Sequence, residues 1–524
     1  MPKQLSGMDS LFLYTENHRA PLEVGCLQIC DPSTSPNGEV RFKEILATFQ
    51  SRLDRWDLFR QRLVEVPLSL DYPYWIDDDD FDLEYHVRHI SLPKPGDWDQ
   101  LMAQIGRLQA RQLDHSRPLW MAHIIEGLDN VPGVPPGCFA MFTKYHHAVI
   151  DGVTSQGAQA AVHDREPRQA DASDYQPSSG PHAEVEPSTW KLLARAPFNT
   201  AFNSTKLGIG LLRALPNAIK HFISSDTEER PPVPRTVFNP TRVSPNRVID
   251  GRFFDLEDFK RIRSTQNGAT VNDVALAVVS GALRYYLLAK DGLPVESLVA
   301  GCPINVGTEL DAAQGRGNLL SIMTPVLHTD IADPVQRLQA IHQETRDAKT
   351  LAEMFGKNAL TQIPMNLPAP IAKNLYPLLI ALGVLSKTLP FNTLISNVAI
   401  RQKPLYLAGA KLVKILGTAP PFDQWGIFHT AVSFDDKMSI AFTACREMMP
   451  DPELYVECLE TSFDDLKKAT LGKPPAVRKK VRKKKAAAKK GVARKATTQN
   501  SRKKSSIPKA VASPDSTPRP EAAP

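Results

Sequence analysis

Between residues 41 and 53 the apolar side chains fall at Phe42, Ile45, Leu46, Phe49 and Leu53, the spacing of a helix that turns one stripe to a core. Leu101, Ile105, Leu108 and Leu113 repeat the pattern, and Pro118 then stops the helix and starts an extended segment. Residues 138–145 (CFAMFTKY) form a short apolar and aromatic run that suits a buried strand better than a helix. His146-His147-Ala148-Val149-Ile150-Asp151-Gly152 follows at that strand's end. Gly152 supplies backbone freedom for a turn, and 153–161 is rich in small residues, as a helix packed closely on a sheet would be. Strand, turn and helix thus present His147 and Asp151 on a bend.

Farther on, 248–254 reads as a strand and 256–263 as a helix. Thr270 is placed to cap a second helix with Asp273 at the third position, and Val271, Val274, Ala275, Val278, Val279, Ala282 and Tyr286 mark its buried face. Residues 394–400 look like a buried strand carrying two polar side chains, Ser396 and Asn397, which need partners or a channel to face. The acidic run 75–82 lacks the spacing of a calcium loop and reads as a solvated loop. No apolar run reaches the roughly 18 residues of a spanning helix, the nearest being 375–385, so membrane contact is expected to be peripheral.

The periodicity lapses at 164–188, which is rich in Pro, Ser, Ala and charge and reads as a linker. In 190–224 Leu207, Leu211, Leu215, Ile219 and Phe222 stand among Lys206, Arg213, Lys220 and His221. Such segments lie on anionic lipid or serve as ordinary crossover helices, and both readings stay open. The prolines at 231–234 close the crossover, giving a division into 1–163, 164–235, 236–470 and 471–524.

Composition supports two domains with substantial cores: 524 residues, 42% of them hydrophobic. The charge is divided unevenly. Residues 473–524 hold 17 Lys or Arg against 2 Asp or Glu, a net +15, which leaves −9 for the remainder of a chain totalling +6. This tail has almost nothing apolar to bury and is expected to be disordered. Its physical use is electrostatic attachment to polyanions, either nonspecific nucleic-acid contact or anionic lipid headgroups, with a solubility role as the alternative. Six cysteines without a paired motif fit a reducing compartment, and the opening residues show no secretory signal, so a cytoplasmic location is expected.

The His pair carries the candidate chemistry. A neutral imidazole can take the proton from a hydroxyl as that hydroxyl attacks an activated acyl group, so no nucleophilic side chain is required. A structural role for both histidines is the alternative. A metal reading of His147 and Asp151 lacks the third ligand that zinc wants, and none is expected. Asn272 falls in a helix first turn, where amide donors and positive end potential suit a developing oxyanion.

His-His-Ala-Val-Ile-Asp-Gly matches the HHxxxDG signature of the CoA-dependent acyltransferase superfamily. Five further stretches resemble the bacterial wax ester synthase/diacylglycerol acyltransferase family: 5–13 (LSGMDSLFL), Pro118-Leu119-Trp120, Asn272-Asp273, Gly317-Asn318, and Ser396-Asn397-Val398. The resemblance implies an α/β fold of two chloramphenicol-acetyltransferase-like domains joined by a crossover linker, with a tunnel between them. It implies transfer of a long-chain acyl group from acyl-CoA, as cosubstrate, to a fatty alcohol or to diacylglycerol, without a bound cofactor. His147 is then the general base, His146 supports it from behind, and Asp151 holds the turn that Gly152 permits. Asn272, Asp273, Ser396 and Asn397 become oxyanion or site-lining candidates, and Pro118, Leu119, Trp120, Gly317 and Asn318 frame the site. Trp425, unusual for this family, is expected to narrow the acyl path. The location implied is peripheral, at the inner membrane or a lipid-body surface. A condensation-domain-like acyltransferase and a noncatalytic lipid-granule tether are the alternatives.

Overall fold

The computed structural model describes residues 3–150, 154–168, 170–176, 194–195, 197, 199, 232–305, 320–354, 367–381, 390–401 and 403–472. The basic tail, the 190–224 segment apart from residues 194, 195, 197 and 199, Asp151, Gly152, Gly317 and Asn318 lie outside the described residues.

The first half contributes β1 (Lys3–Gln4), β2 (Glu23–Asp31), β3 (Gln61–Val64), β4 (Tyr74–Asp77), β5 (Val87–Ser91), β6 (Trp120–Glu126) and β7 (Phe139–His146). The second contributes β8 (Arg247–Asp255), β9 (Ala300–Asn305), β10 (Leu320–Met323), β11 (Thr393–Ala399), β12 (Tyr406–Leu407), β13 (Ala410–Thr418), β14 (Ile427–Phe434) and β15 (Lys437–Cys445). They form two six-stranded sheets, ordered β12-β13-β2-β7-β6-β5 and β10-β9-β11-β14-β15-β8, and a small sheet β1-β4-β3.

Every residue of β7 is buried, because β2 and β6 pair with it on both edges and helices cover the sheet. Lys144 is the one charged residue in that run. Its ammonium donates to the carbonyls of Leu108 (3.1 Å) and Arg111, the last turn of the helix Trp98–Gln109 and the residues after it, where backbone acceptors would otherwise go unmatched. The amphipathic helices appear at Phe42–Gln50 and Trp98–Gln109, the latter with Asp97 and Gln100 forming a capping box.

Although β13 belongs to the second half of the chain, it runs antiparallel to β2 in the first sheet. It passes so closely that a Cβ at Gly25 would meet the Thr418 hydroxyl and lie 2.7 Å from the Phe142 ring. The second half of the chain thereby supplies a strand to the first sheet, within one compact unit, Met1–Pro475.

In the second half the helix Val271–Ala289 is capped by Thr270 and packs against the helices Pro452–Leu471 and Pro334–Met354. It is long and apolar enough to span a membrane, contrary to the reading that placed the most apolar run at 375–385. With 72% of its apolar window buried it serves as the core helix of the second sheet's outer layer. The acidic run also departs from expectation. Tyr74–Asp77 is a strand pairing with β1 and β3, with Trp75 and Ile76 buried, and the exposed carboxylates behind it are Asp79, Asp80 and Asp82. The contiguous apolar run Tyr74-Trp75-Ile76, buried throughout, decided this segment over its carboxylates.

Candidate active site

The site starts with the N-terminal helix Gly7–Thr15. Ser6 caps it, accepting from the Asp9 amide at 3.1 Å, and this fixes the face that Phe12 presents. Phe12 stacks on the His147 ring with centroids 3.9 Å apart and planes 16° from parallel. Its carbonyl accepts from the amide of Glu16, the residue that ends the helix. One helix therefore sends an aromatic to the second histidine and a carboxylate to the first.

The Glu16 side chain is buried under the turn that carries the two histidines, where four nitrogen atoms surround its carboxylate. Its Oε1 accepts from the Leu22 amide at 2.8 Å, and its Oε2 lies 2.7 Å from Gln112 Nε2, 2.7 Å from His115 Nε2 and 3.5 Å from His146 Nε2. The Leu22 carbonyl in turn accepts the His147 amide at 2.9 Å, while the Leu119 carbonyl accepts the His146 amide at 3.0 Å. The Ala148 amide donates to His146 Nδ1 at 3.0 Å. Residues 146 to 148 are thus held by their backbone on every side. Burial alone would raise the Glu16 carboxyl, but the hydrogen bonds from His115 and His146 and the Leu22 amide hold it well below the carboxylate range. The hydrogen bond to Glu16 raises His115, and burial lowers His146.

The ligating atoms of Glu16, His115 and His146 fall within 4.8 Å of one another, a metal-like grouping that no local spacing in the sequence announces. The tautomer argues against a metal there. A backbone N–H can only donate, so His146 Nδ1 carries a lone pair and the ring hydrogen of the neutral imidazole sits on Nε2, the nitrogen 3.5 Å from Glu16 Oε2. His146 accepts the Ala148 amide at Nδ1 and packs its Nε2 side against Glu16, behind the turn.

In front of the turn, His147 lines a cavity of about 430 Å³. One wall is β2, β7 and the helix Thr154–Val162; the other is β9, β11 and β14, with β13 between them. Ser396 and Asn397 line it too. The Asn397 amide donates to Asn272 Oδ1 at 2.9 Å, so these two candidates from distant stretches meet, and the Asn272 amide nitrogen remains a donor at the first turn of its helix.

Asp273, grouped with the site-lining candidates from its sequence, is placed otherwise. It is buried, and its carboxylate accepts from the Thr270 amide (2.8 Å), His342 Nδ1 (2.9 Å) and the Thr345 hydroxyl (2.8 Å), which anchors the helix start away from the cavity. Trp425 likewise lies off the acyl path. Its indole donates to the Phe391 carbonyl at 2.9 Å and stacks on Phe391, bracing a satellite cluster rather than lining the cavity. Pro118, Leu119 and Trp120 are buried; Leu119 supplies the carbonyl for His146, and the Trp120 indole donates to the Phe59 carbonyl at 2.9 Å. Phe12, Glu16, Leu22 and His115 were not singled out from the sequence, because each acts through a contact made only after folding.

Two six-stranded sheets, the first taking β12 and β13 from the second half of the chain, with a histidine following a central strand into the cavity between them, make the architecture of a CoA-dependent acyltransferase. Residues 5–275 match the wax ester synthase/diacylglycerol acyltransferase catalytic domain, and residues 316–467 match the WS/DGAT C-terminal domain. A Mycobacterium tuberculosis protein named as a probable diacylglycerol O-acyltransferase, tgs2, is 32% identical over 475 residues, covering 88% of this chain and 98% of that protein. The solved wax ester synthase/diacylglycerol acyltransferase from Marinobacter aquaeolei VT8 is similar with a TM-score of 0.63 and 26% identity, covering 90% of this chain and 100% of that one. A variant of the starter condensation domain of rhizomide synthetase RzmA, in complex with C8-CoA, shares the fold at 12% identity and a TM-score of 0.50, over 90% and 95% of the two chains. The chain belongs to the wax ester synthase/diacylglycerol acyltransferase family and is an acyltransferase of it.

Proposed function

We propose that the protein moves a long-chain acyl group from acyl-CoA to the hydroxyl of a fatty alcohol, giving a wax ester, or of diacylglycerol, giving triacylglycerol. The observation that carries this reading is the position of His147, its backbone pinned by Leu22 and its ring held against Phe12 at the wall of a largely apolar cavity. His147 takes the acceptor's hydroxyl proton through Nε2, and the oxygen forms a bond to the thioester carbonyl carbon. The resulting oxyanion is met by donors around Asn272, whose side chain Asn397 orients. The carbon–sulfur bond then breaks, and the CoA thiolate leaves with the proton that His147 returns. No resident metal or organic cofactor enters these steps.

The mycobacterial relative's name favours diacylglycerol as acceptor, and the Marinobacter name includes both activities. Incubating the purified protein with palmitoyl-CoA plus either hexadecanol or diacylglycerol, with detection of free thiol, decides between them. Thiol release dependent on neither acceptor would leave the granule-tethering reading. A cytoplasmic protein attached peripherally to the inner membrane or a lipid body fits six cysteines that are all free and a tail of net +15. Truncation after Gly472 is expected to abolish low-salt binding to anionic vesicles or nucleic acid; cosedimentation unchanged by the truncation would refute this.

A further inference from the structure

The two edges of β11 are paired unevenly. On one edge it pairs with β14 from Leu394 to Ala399, and the Ile400 amide carries the pairing one residue further by donating to the Ser433 carbonyl at 2.9 Å. On the other edge β9 meets it only at Thr393 and Leu394. Two positions on, the same register would set Pro303 beside Ser396, but Pro303 has no N–H to give, and both residues line the cavity. From Ile395 to Ala399 this edge has no strand beside it among the described residues. Its backbone groups therefore stand open to a ligand that carries amides of its own, and a hydrocarbon chain could use none of them.

Asn397, Ala399 and Arg401 are exposed along this stretch, while Ser396, Val398 and Ile400 between them are half-buried, and all of them line the cavity. Asn397 is held to Asn272, the donor placed for the thioester oxyanion. No Asp or Glu lines the cavity among the described residues, and Arg401 is the one Lys or Arg that does. Its neighbour Lys403 is taken up by Asp435 at 3.1 Å, whereas no hydrogen bond or ion pair among the described residues engages the Arg401 guanidinium. Asn397 and Arg401 are four residues apart, roughly 13 Å along an extended strand. The pantetheine arm of CoA puts about 13 bonds between its sulfur and its first phosphorus, about 15 Å when extended, since three backbone bonds span ~3.3–3.6 Å. A thioester carbonyl at Asn272 thus brings the pyrophosphate within reach of Arg401, and the amides of the arm fall along the open edge.

We propose that the open edge and exposed face of β11 seat the pantetheine arm of CoA and that Arg401 pairs with its phosphates, so that the thioester enters past Arg401. This rests on the acyl-transfer reading of His147, and the two can fail separately. Binding of CoA and of pantetheine, which lacks the nucleotide, to the full chain is compared by calorimetry, with thiol release from palmitoyl-CoA measured in parallel. The wild-type protein should bind CoA the more tightly. Arg401→Ala should weaken CoA roughly tenfold, the worth of one charge-assisted hydrogen bond, and leave pantetheine as it was, while Arg401→Lys should keep part of the preference. Ala399→Trp, which fills the face between Asn397 and Arg401, should weaken both ligands in a protein whose melting temperature is unchanged. A wild-type affinity for CoA no higher than for pantetheine overturns the seat, as does a preference that survives Arg401→Ala or binding untouched by Ala399→Trp. Weaker sedimentation of Arg401→Ala with phosphatidylglycerol vesicles, at unchanged CoA affinity, assigns the arginine to a lipid phosphate and overturns it too. CoA binding that both variants weaken, in a wild-type protein that releases no thiol, upholds the seat and overturns acyl transfer.

Discussion

Glu16 shows how one carboxylate can position a base it never touches. It reaches the His147 backbone through Leu22 and the Ala148 backbone through His146. Glu16→Gln keeps the shape and loses the charge, so kcat should fall roughly tenfold or more with KM little changed, because the turn shifts while the cavity persists. The pH behaviour follows from the two shifts. Glu16 is lowered on folding, so its contribution is full above its ordinary value near 4.5 and is lost as pH falls through its folded value. His115 is raised, so its contribution is full below about 6.5 and is lost as pH rises through its folded value. Any alkaline limb of the wild-type rate profile that stems from His115 should disappear in Glu16→Gln; a limb unchanged by the substitution refutes the coupling. The supporting place of His146 was read from the histidine motif, but the part of Glu16 was not legible, since it lies 130 positions from His146 and has no distinctive local setting. His147 was legible because strand, histidine pair and glycine are contiguous.

At the scale of elements, patterns that a segment satisfies by itself came through. The run at 138–145 became β7 (Phe139–His146), and the Thr270 cap and its Asp273 partner took the geometry expected of them. The function assigned to Asp273 did not follow from that geometry. An acid in a helix first turn has the same sequence signature whether it faces a cavity or anchors the cap, and His342 and Thr345, about 70 residues away, decide the matter. Asp273→Ala should therefore cost stability, about 1–3 kcal/mol from the lost cap and the unmatched partners. Urea denaturation measures it, and a variant as stable as wild type would show that the cap contributes little. Trp425 failed as a path-narrowing residue for a related reason. An aromatic in a loop fills whichever core is nearest, and here Phe391 and Phe422 supply one.

For the whole molecule, the pairing of β13 with β2 is the feature the sequence concealed. A strand's composition says that it is buried and is silent on which sheet takes it. The division at 163 and 236 follows the linker, while the hydrogen bonds of residues 410–418 run to the first sheet. The folded unit also keeps several histidines neutral. Burial holds His86, His123 and His163 at about 4 and His429 at about 3. Below about 6.5 the unfolded chain takes up protons that these folded sites refuse, so stability falls as pH drops, with His115 alone among the five opposing the trend. The melting temperature should decline steadily between pH 7 and pH 4.5. A constant value over that range would mean that these rings are not held neutral.

The central claim is that His147 accepts the acceptor alcohol's proton during acyl transfer. Thiol release from palmitoyl-CoA by His147→Ala, with hexadecanol or diacylglycerol as acceptor, tests it most directly. The rate should fall by roughly 10² to 10⁴, the usual contribution of a general base, while palmitoyl-CoA binding and the melting temperature stay close to wild type. Turnover near the wild-type rate in a folded, thioester-binding variant would contradict the account.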